Sequence, residues 1–506
     1  MKKIISILLG ISSLALFSAC GTGSSDFELE GADLTVLVNV DRPGITRTEG
    51  DTTDDLDTET TISSLKLLLF KKDGLNDDTP VVIISDTKKL AYKKVSDGVY
   101  ELNAKIPEEL TGDYLLYVVA NMPSWLSISK YGDMAKAFSG TAVQMAACWA
   151  DDNFLMINQQ NDITTSGDQA GVTVTMNPSG EKVTAATVTI ERIATKIRVM
   201  DNDYMKVAPL LTKVLCSGDN PGVDPDINGA IVSMSLEGYA LFNCVNSFNL
   251  IQKWSAATLT GEKLLVSPSS DYSSPYSISD GYYDNDPSSL VFSDLGTVKY
   301  CMENNSPYYT DLVSGPSDAT AGTKMKGRVT GIVFKARTGL AKSFSGDALI
   351  NEPLGVEDSP IEWQETRGVS SDISWTSLYQ YKGEYYGDIS CLLRNNTALA
   401  TALGTSSPTV EQLRAKDVKV FEDGYMYYNY WIVDNNYTDN GKNYLSVMRN
   451  TFYDIKITAI NSMGDEFPCG GTSYNPNDPI SVDVPRLTLS VEIPDWTDKS
   501  GQYVIQ

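Results

Sequence analysis

The 506-residue chain contains no histidine. That one absence removes Ser-His and Cys-His nucleophiles, His-ligated zinc and imidazole acid–base catalysis together. Carboxylate chemistry stays open, because the chain has 65 acidic residues and a pair of carboxyls is enough for glycoside hydrolysis. No pair stands out by spacing, and G-x-S-x-G, Walker and G-x-G-x-x-G motifs are all missing. The expectation is a non-enzyme without a cofactor. Besides Cys20 there are Cys148, Cys216, Cys244, Cys301, Cys391 and Cys469, with no C-x-x-C among them. A zinc cage is therefore poorly supported, and such sparse cysteines read mostly as buried thiols, with disulfides still possible outside the cytoplasm. Asp224-Pro225-Asp226-Ile227-Asn228-Gly229 begins like a calcium loop, but Ser235 stands where a bidentate glutamate is needed. An ordinary Asx/Gly turn is the preferred reading there, as a loop is for Asp284-Asn285-Asp286. The 27 tyrosines cluster at Tyr282-Tyr283, Tyr308-Tyr309, Tyr385-Tyr386 and Tyr425 to Trp431. Such rings could stack on sugars, yet tyrosine is also a common strand residue, and the strand reading is preferred.

One residue carries a distinct chemistry. Lys2 and Lys3 precede an apolar run, Ile4 to Phe17, which ends Phe17-Ser18-Ala19-Cys20. The run is short for a membrane span and has the layout of an export signal. Small residues before a cysteine here are similar to a bacterial lipobox. That likeness implies a signal peptide over 1–19 and acylation of Cys20, which would anchor the chain to the outer membrane without spanning it. An ordinary signal peptide with an incidental cysteine is the alternative. The net charge of −25 and sequence pI near 4.4 argue against nucleic acid and against adhesion to anionic lipid through a basic face.

The elements that would carry these features are overwhelmingly β. After a Gly/Ser tether, Leu34, Val36, Val38 and Val40 alternate with Thr35, Leu37 and Asn39, the pattern of a half-buried strand. Glu49 to Thr60 then holds six acids and no base, which reads as a solvated, cleavable connector. Arg42, before Pro43, and Arg47 lie at its start. Further strands are expected at Ile62–Phe70, Pro80–Ile84, Tyr114–Ala120, Val172–Met176, Thr187–Val199, Val329–Ala336, Phe452–Ile460 and Leu487–Ile493, with turns at Asp73-Gly74, Asp97-Gly98 and Asp423-Gly424. Helix signals are few: Asp133–Trp149, Ala398–Leu403, and Thr409–Ala415 with a Thr409…Gln412 capping box. The fold class is all-β, with β-sandwiches and few short helices. The organisation expected is a tether and separate strand over 20–47, a first sandwich over 48–200, and a second over 201–506 with long loops.

Five segments resemble the fimbrillin family, the subunits of type V pili, and especially its minor-fimbrium, Mfa-type branch. Ile62–Phe70 is similar to the family's early strand, and Tyr114–Asn121 to its "vyvvaN" strand. Val188-Thr189-Ile190-Glu191-Arg192-Ile193-Ala194-Thr195-Lys196-Ile197 resembles "v-x-R-x-v-A-k-i". Glu303-Asn304 followed by Gly327–Ala336 is similar to the "EN…G-x-T-x-v-x-f-k-A" arrangement. Most specific is Val447-Met448-Arg449-Asn450-Thr451-Phe452-Tyr453-Asp454-Ile455-Lys456-Ile457, which looks like "v-x-R-N-x-x-Y-x-i-x-i". Regions 201–300 and 340–420 carry no such motif.

The resemblance implies two transthyretin-like β-sandwich domains, lipoprotein export and assembly into a cell-surface fimbria. It also implies an arginine-specific protease that removes the N-terminal strand. Arg47 is the expected cleavage site, because Pro43 protects Arg42. Removing Leu34, Val36, Val38 and Val40 would uncover side-chain sites worth roughly 6–12 kcal/mol, comparable to the stability of a whole domain. Leu487, Leu489, Val491 and Ile493 alternate in the same way near the C-terminus. They are the expected donor strand for a neighbouring subunit, giving an open head-to-tail polymer; the alternative is that both segments are strands of their own domains. A fimbrial tip or accessory adhesin and a non-polymerising surface glycan-binding lipoprotein are the competing functional readings, with host glycans or proteins as conceivable ligands.

Overall fold

The structure, a computed structural model, describes residues 34–40, 58–96, 98–134, 136–150, 153–158, 171–176, 183–200, 206–207, 213–215, 228–230, 233–252, 254–255, 264–265, 282–283, 287–309, 329–341, 373–374, 377–439, 442–460, 463–473, 487–492 and 503–504. Cys20, Arg47, Cys216, Asp224, Asp226, the Asp284–Asp286 loop and Ile493 lie outside these residues. The described chain is mostly strand, arranged in β-sandwich-like layers with a few short helices.

The first half builds one nine-stranded sheet. Its strands are β1 (Leu34–Val40), β2 (Leu65–Lys71), β3 (Val81–Ile84), β4 (Leu90–Ser96), β5 (Val99–Ala104), β6 (Gly112–Ala120), β7 (Met156–Asn158), β8 (Val172–Met176) and β9 (Val183–Arg192). The spatial order is β3-β2-β6-β7-β9-β1-β5-β4, with β8 on β6. Because the side-chain period is two, β2 and β6 sort their residues onto two faces. Leu65, Leu67, Leu69, Leu116 and Val118 join Val36, Val38, Leu102, Val188 and Ile190 in one core. Leu68, Phe70, Leu115, Tyr117 and Val119 point the other way, into a second core closed by Leu126, Met145, Phe248 and Leu250. With both faces covered, β2 and β6 read as near-continuous apolar runs.

A second sandwich follows. One sheet runs β12-β10-β15-β16-β17, built from β10 (Ala194–Val199), β12 (Val298–Met302), β15 (Phe452–Ile460), β16 (Leu487–Glu492) and β17 (Tyr503–Val504). The facing sheet pairs β11 (Ser233–Phe242) and β14 (Tyr425–Trp431) on either side of β13 (Gly331–Ala341). Ile197 and Val199 of β10, Ile455 and Ile457 of β15, Tyr239, Ile332, Phe334, Met426 and Tyr428 fill the space between them. Between β13 and β14 the chain forms a satellite: strands Leu378–Tyr381, Glu384–Tyr386 and Lys419–Phe421 with three helices, Ile389–Asn395, Thr397–Leu403 and Val410–Arg414. It has a small core of its own around Cys391, Leu392, Leu399 and Leu413.

Three sequence expectations change. The single strand expected over Thr187–Val199 is interrupted at Ile193, so β9 lies in the first sheet and β10 in the second. The change of sheet therefore comes at Ile193. The helix expected over Asp133–Trp149 is three pieces: a turn at Tyr131–Met134, a strand at Ala137–Ser139 and a helix at Ala142–Ala146. Gly140 and the Thr141/Gln144 capping box start that helix afresh, and Ala137–Ser139 pairs with Ser247–Asn249 in the distant second half, a contact no local pattern reveals. The third change concerns Glu59 and is described with the junction below. The Thr409/Gln412 capping box is present as expected.

The Asp423-Gly424 turn between the satellite and β14 has no room for a side chain. Gly424 has φ of +78° and a Cβ there would meet the Thr338 carbonyl oxygen at 2.3 Å. Gly424→Ala should lower stability by about 2 kcal/mol or more, read as a lower urea midpoint with an unchanged slope.

Candidate functional site: the β1 slot and the junction behind it

β1 is an inner strand of the first sheet, not an edge. It runs parallel to β9, with Val36 opposite Ala186 and Val38 opposite Val188. It runs antiparallel to β5, with Val36 opposite Leu102 and Val38 opposite Tyr100. Leu34, Val36 and Val38 are fully buried and Val40 is 4% exposed, while Thr35, Leu37 and Asn39 are half-buried on the other face. Val40 donates its amide to the Gly98 carbonyl at 2.7 Å. Thr35 Oγ1 donates to Asn103 Oδ1 at 2.8 Å. The four residues read from the sequence as one apolar face thus lie together in the core.

The chain resumes at a short 3₁₀ turn, Thr58–Thr60, that is fastened on every side. Lys196 Nζ donates to Glu59 Oε1 at 2.5 Å, and the Tyr300 hydroxyl donates to the same oxygen at 2.9 Å. Arg192 Nε donates to the Glu59 carbonyl at 3.1 Å. Tyr100 donates its hydroxyl to the Thr60 carbonyl at 3.0 Å, and Asn121 Nδ2 donates to the Thr61 carbonyl at 2.8 Å. Glu59 was expected within a solvated acidic run; it is 1% exposed. The reason is local chemistry: Arg192 and Lys196 are buried themselves, so their charges need polar partners within reach, and Glu59 gives Lys196 a carboxylate and Arg192 a carbonyl. Two cations four residues apart among strand residues, Arg192 and Lys196, are the signal that could have found it.

Residues that stood out as motifs meet at this junction. Arg192 Nη1 donates to Asn450 Oδ1 at 2.8 Å, and the Asn450 amide donates to the Ala194 carbonyl at 2.8 Å. Asn450 has φ of +52°, a conformation asparagine tolerates better than most residues. Arg449 is 3% exposed. It donates to the Leu250 carbonyl at 2.9 Å, to the Asn249 carbonyl at 2.5 Å and to the Glu303 carboxylate. Gln252 Nε2 donates to the second Glu303 oxygen at 2.9 Å. Thr195 Oγ1 donates to the Met448 carbonyl at 2.6 Å. On β15, Tyr453 donates to Asp434 Oδ2 at 2.7 Å; burial, and then the Asp434 charge, hold its phenol well above the usual range. Arg198 makes a two-pronged bond to Asp454 at 3.0 and 2.5 Å.

The C-terminal segment is at home in its own domain. β16 pairs antiparallel with β15, Val491 opposite Ile455 and Leu489 opposite Ile457, and β17 pairs with its far side. The described backbone thus brings the two alternating segments into different sheets and does not bring them together.

The other candidates have ordinary surroundings. Tyr428 is buried in the second core and Tyr430 packs against it; Lys335 Nζ lies 4.1 Å from the Tyr425 ring centroid. Tyr385 and Tyr386 lie on a satellite strand. Asn228 and Gly229 open a strand. Cys148, Cys244 and Cys301 are buried thiols, Cys469 is a half-buried one, and Cys391 is disulfide-bonded. Burial pushes the Cys148 thiol up to about 12. The folded chain therefore keeps that proton in a range where the unfolded chain loses it, so this group's contribution to stability is complete below about pH 9 and falls as pH rises toward 12. Cys148 should resist iodoacetamide at pH 8 until the chain is unfolded, measured by peptide mass mapping. Among the described residues no group of ligating side chains could hold a metal ion, and no helix is long and apolar enough to cross a membrane.

Residues 419–502 match the family described as "Major fimbrial subunit protein type IV, Fimbrillin, C-terminal". No curated protein matches the chain. Among solved structures, a proposed cell adhesion protein from Parabacteroides distasonis is similar at 13% identity and a TM-score of 0.39, over 94% of this chain and 100% of that one. One from Bacteroides eggerthii, with the same description, is similar at 11% identity and a TM-score of 0.37, over 93% and 98%. A fimbrial assembly protein from P. distasonis is similar at 11% identity and a TM-score of 0.31, over 94% and 98%. At these scores the likenesses carry no argument about activity. The matched region contains Val447–Ile457, the segment whose pattern is most specific in the sequence.

Proposed function

We propose that this chain is a structural subunit of a cell-surface fimbria, of the minor-fimbrium type, exported as a lipoprotein through Cys20 and assembled by strand exchange after cleavage at Arg47. The observation that carries the reading is the position of β1. An inner strand with four buried aliphatic side chains is linked covalently to the strands that follow it through 41–57, and the chain beyond that connector is pinned at Glu59. A cut at Arg47 would free β1 without disturbing the anchor. The vacated slot would expose two rows of unpaired backbone groups and an apolar trough, which a replacement strand relieves. Leu487, Leu489, Val491 and Ile493 have the required period and would leave β15 to enter the slot of a second copy. Partners are then other subunits, head to tail, and an arginine-specific protease; adhesion to host glycans or proteins would follow from display on the fimbria.

A second reading has one observation in its favour: β16 is hydrogen-bonded within its own sheet. A tip or accessory subunit would keep it there and would only accept a strand. The deciding experiment treats the mature chain with an arginine-specific protease, beside Arg47→Ala. Stalk assembly predicts one cut after Arg47, detergent-resistant ladders, and neither in the variant. A clean cut without ladders supports the tip reading. An intact, compact monomer would refute the cleavage scheme.

A further inference from the structure

Any strand with four alternating aliphatic residues could fill the core side of the β1 slot, so the buried face alone does not fix where that strand stops. The outward face does carry position. Thr35, Leu37 and Asn39 stand opposite Asn103, Glu101 and Val99 of β5. Thr35 gives Asn103 its hydrogen bond. Glu101 accepts from Asn103 Nδ2 at 3.4 Å and pairs with Lys93 of β4 at 3.4 Å. Along the slot, β5 thus presents an amide acceptor, then a carboxylate whose cation is already engaged, then an aliphatic residue.

We infer that Asn103 and Glu101 set the register of the incoming strand and select Leu487-Thr488-Leu489-Ser490-Val491-Glu492-Ile493 of a second copy; this rests on the exchange reading above. Laid on Leu34-Thr35-Val36-Leu37-Val38-Asn39-Val40, that segment repeats the Leu-Thr pair and the four core-facing aliphatic positions, with Ser490 in the place of Leu37. Thr488 takes the place of Thr35 and restores the bond to Asn103. Ser490 faces Glu101 and can donate to it, and Glu492 faces Val99, clear of Glu101.

Each slipped register meets an obstacle. A slip of two residues in one direction sets Glu492 directly opposite Glu101, and like charges in that position repel. A slip of two in the other direction puts Pro485 at the Leu34 position and Arg486 opposite Asn103. That register gives up the threonine bond to Asn103 and sets proline where Leu34 is fully buried. A slip of one turns every aliphatic side chain outward. The slot therefore accepts one register of this segment: Asn103 favours it, Glu101 rejects one slip, the donor's own proline the other, and the period of two the slip of one.

The test mixes two full mature chains after arginine-specific cleavage, both carrying Cys469→Ser. One carries Val99→Cys, the other Glu492→Cys or Ser490→Cys. The inferred register gives a 99–492 disulfide between copies, with the 99–490 product in the minority. Asn103→Leu in the acceptor should reduce the 99–492 product about five-fold relative to 99–490. Thr488→Val in the donor should do the same, which guards against an acceptor that merely misfolds. Ladders with equal cross-linking at 490 and 492, unchanged by both variants, would overturn the register while leaving exchange standing. Ladders absent and no cross-link from 487–493 to position 99 would bring down the exchange reading and this inference with it.

Discussion

Val38→Asp should destabilise the uncut chain by about 4 kcal/mol or more, yet leave the assembled form untouched. Val38 is fully buried between Val188 and Tyr100 in register. A carboxylate there would sit among the aliphatic and aromatic side chains of this core, and burying a charge in such surroundings is among the few changes that cost so much. Val38→Ala at the same site should cost about 2 kcal/mol from lost contact and cavity, and Leu37→Ser on the half-buried face considerably less. If β1 departs on cleavage, the cost departs with it. Polymers made from Val38→Asp should melt as the wild type does, while the precursor's urea midpoint falls. A permanent strand would show the same penalty before and after the cut.

Arg449→Met should cost about 3–5 kcal/mol. The guanidinium satisfies the Leu250 and Asn249 carbonyls and the Glu303 carboxylate together. Removing it strands a buried acid, which keeps only Gln252, along with two carbonyls. Glu303→Leu added to Arg449→Met should recover part of the loss, because removing both charges spares the orphan. Arg449 follows β14 in the second half, and Glu303 and Leu250 pack beside Met302 and Phe248, which close the outer core of the first sheet. Calorimetry should therefore show one broad transition dividing into two in the single variant, with the first sandwich melting earlier. A single sharp transition at the wild-type temperature would place the junction's energy elsewhere.

Alternation made the strands legible. Phe452–Ile460 and Val172–Met176 have the bounds their sequences suggest, because apolar residues at period two have one way to be half-buried. β1 was legible for the same reason. Its position between β9 and β5 was not, since parallel pairing with a strand so distant in sequence leaves no local mark. The junction was half legible. Arg192, Lys196, Glu303, Arg449 and Asn450 drew notice as motif residues, and all are buried. Glu59 was hidden by its acidic neighbours, because charge runs are normally solvated and only the cations waiting for it break that rule. The Ala- and Met-rich stretch over Asp133–Trp149 misled in the opposite way: its composition favours helix, but a pairing with Ser247–Asn249 took part of it for a strand. In the satellite two helices were legible, Thr397–Leu403 from its Ala/Leu-rich run and Val410–Arg414 from its capping box; its core, assembled from three short helices and three short strands, was not.

If β1 is a removable plug, another strand takes its place in the assembled form. The most direct measurement is hydrogen-exchange mass spectrometry of the protease-cut, assembled fraction, with the 21–47 peptide quantified in the same samples. With β1 displaced, this peptide is absent from washed polymers while the amides of Val99–Ala104 stay as protected as in the uncut chain. One 21–47 peptide retained per subunit would mean that β1 never leaves its slot and that no other strand replaces it.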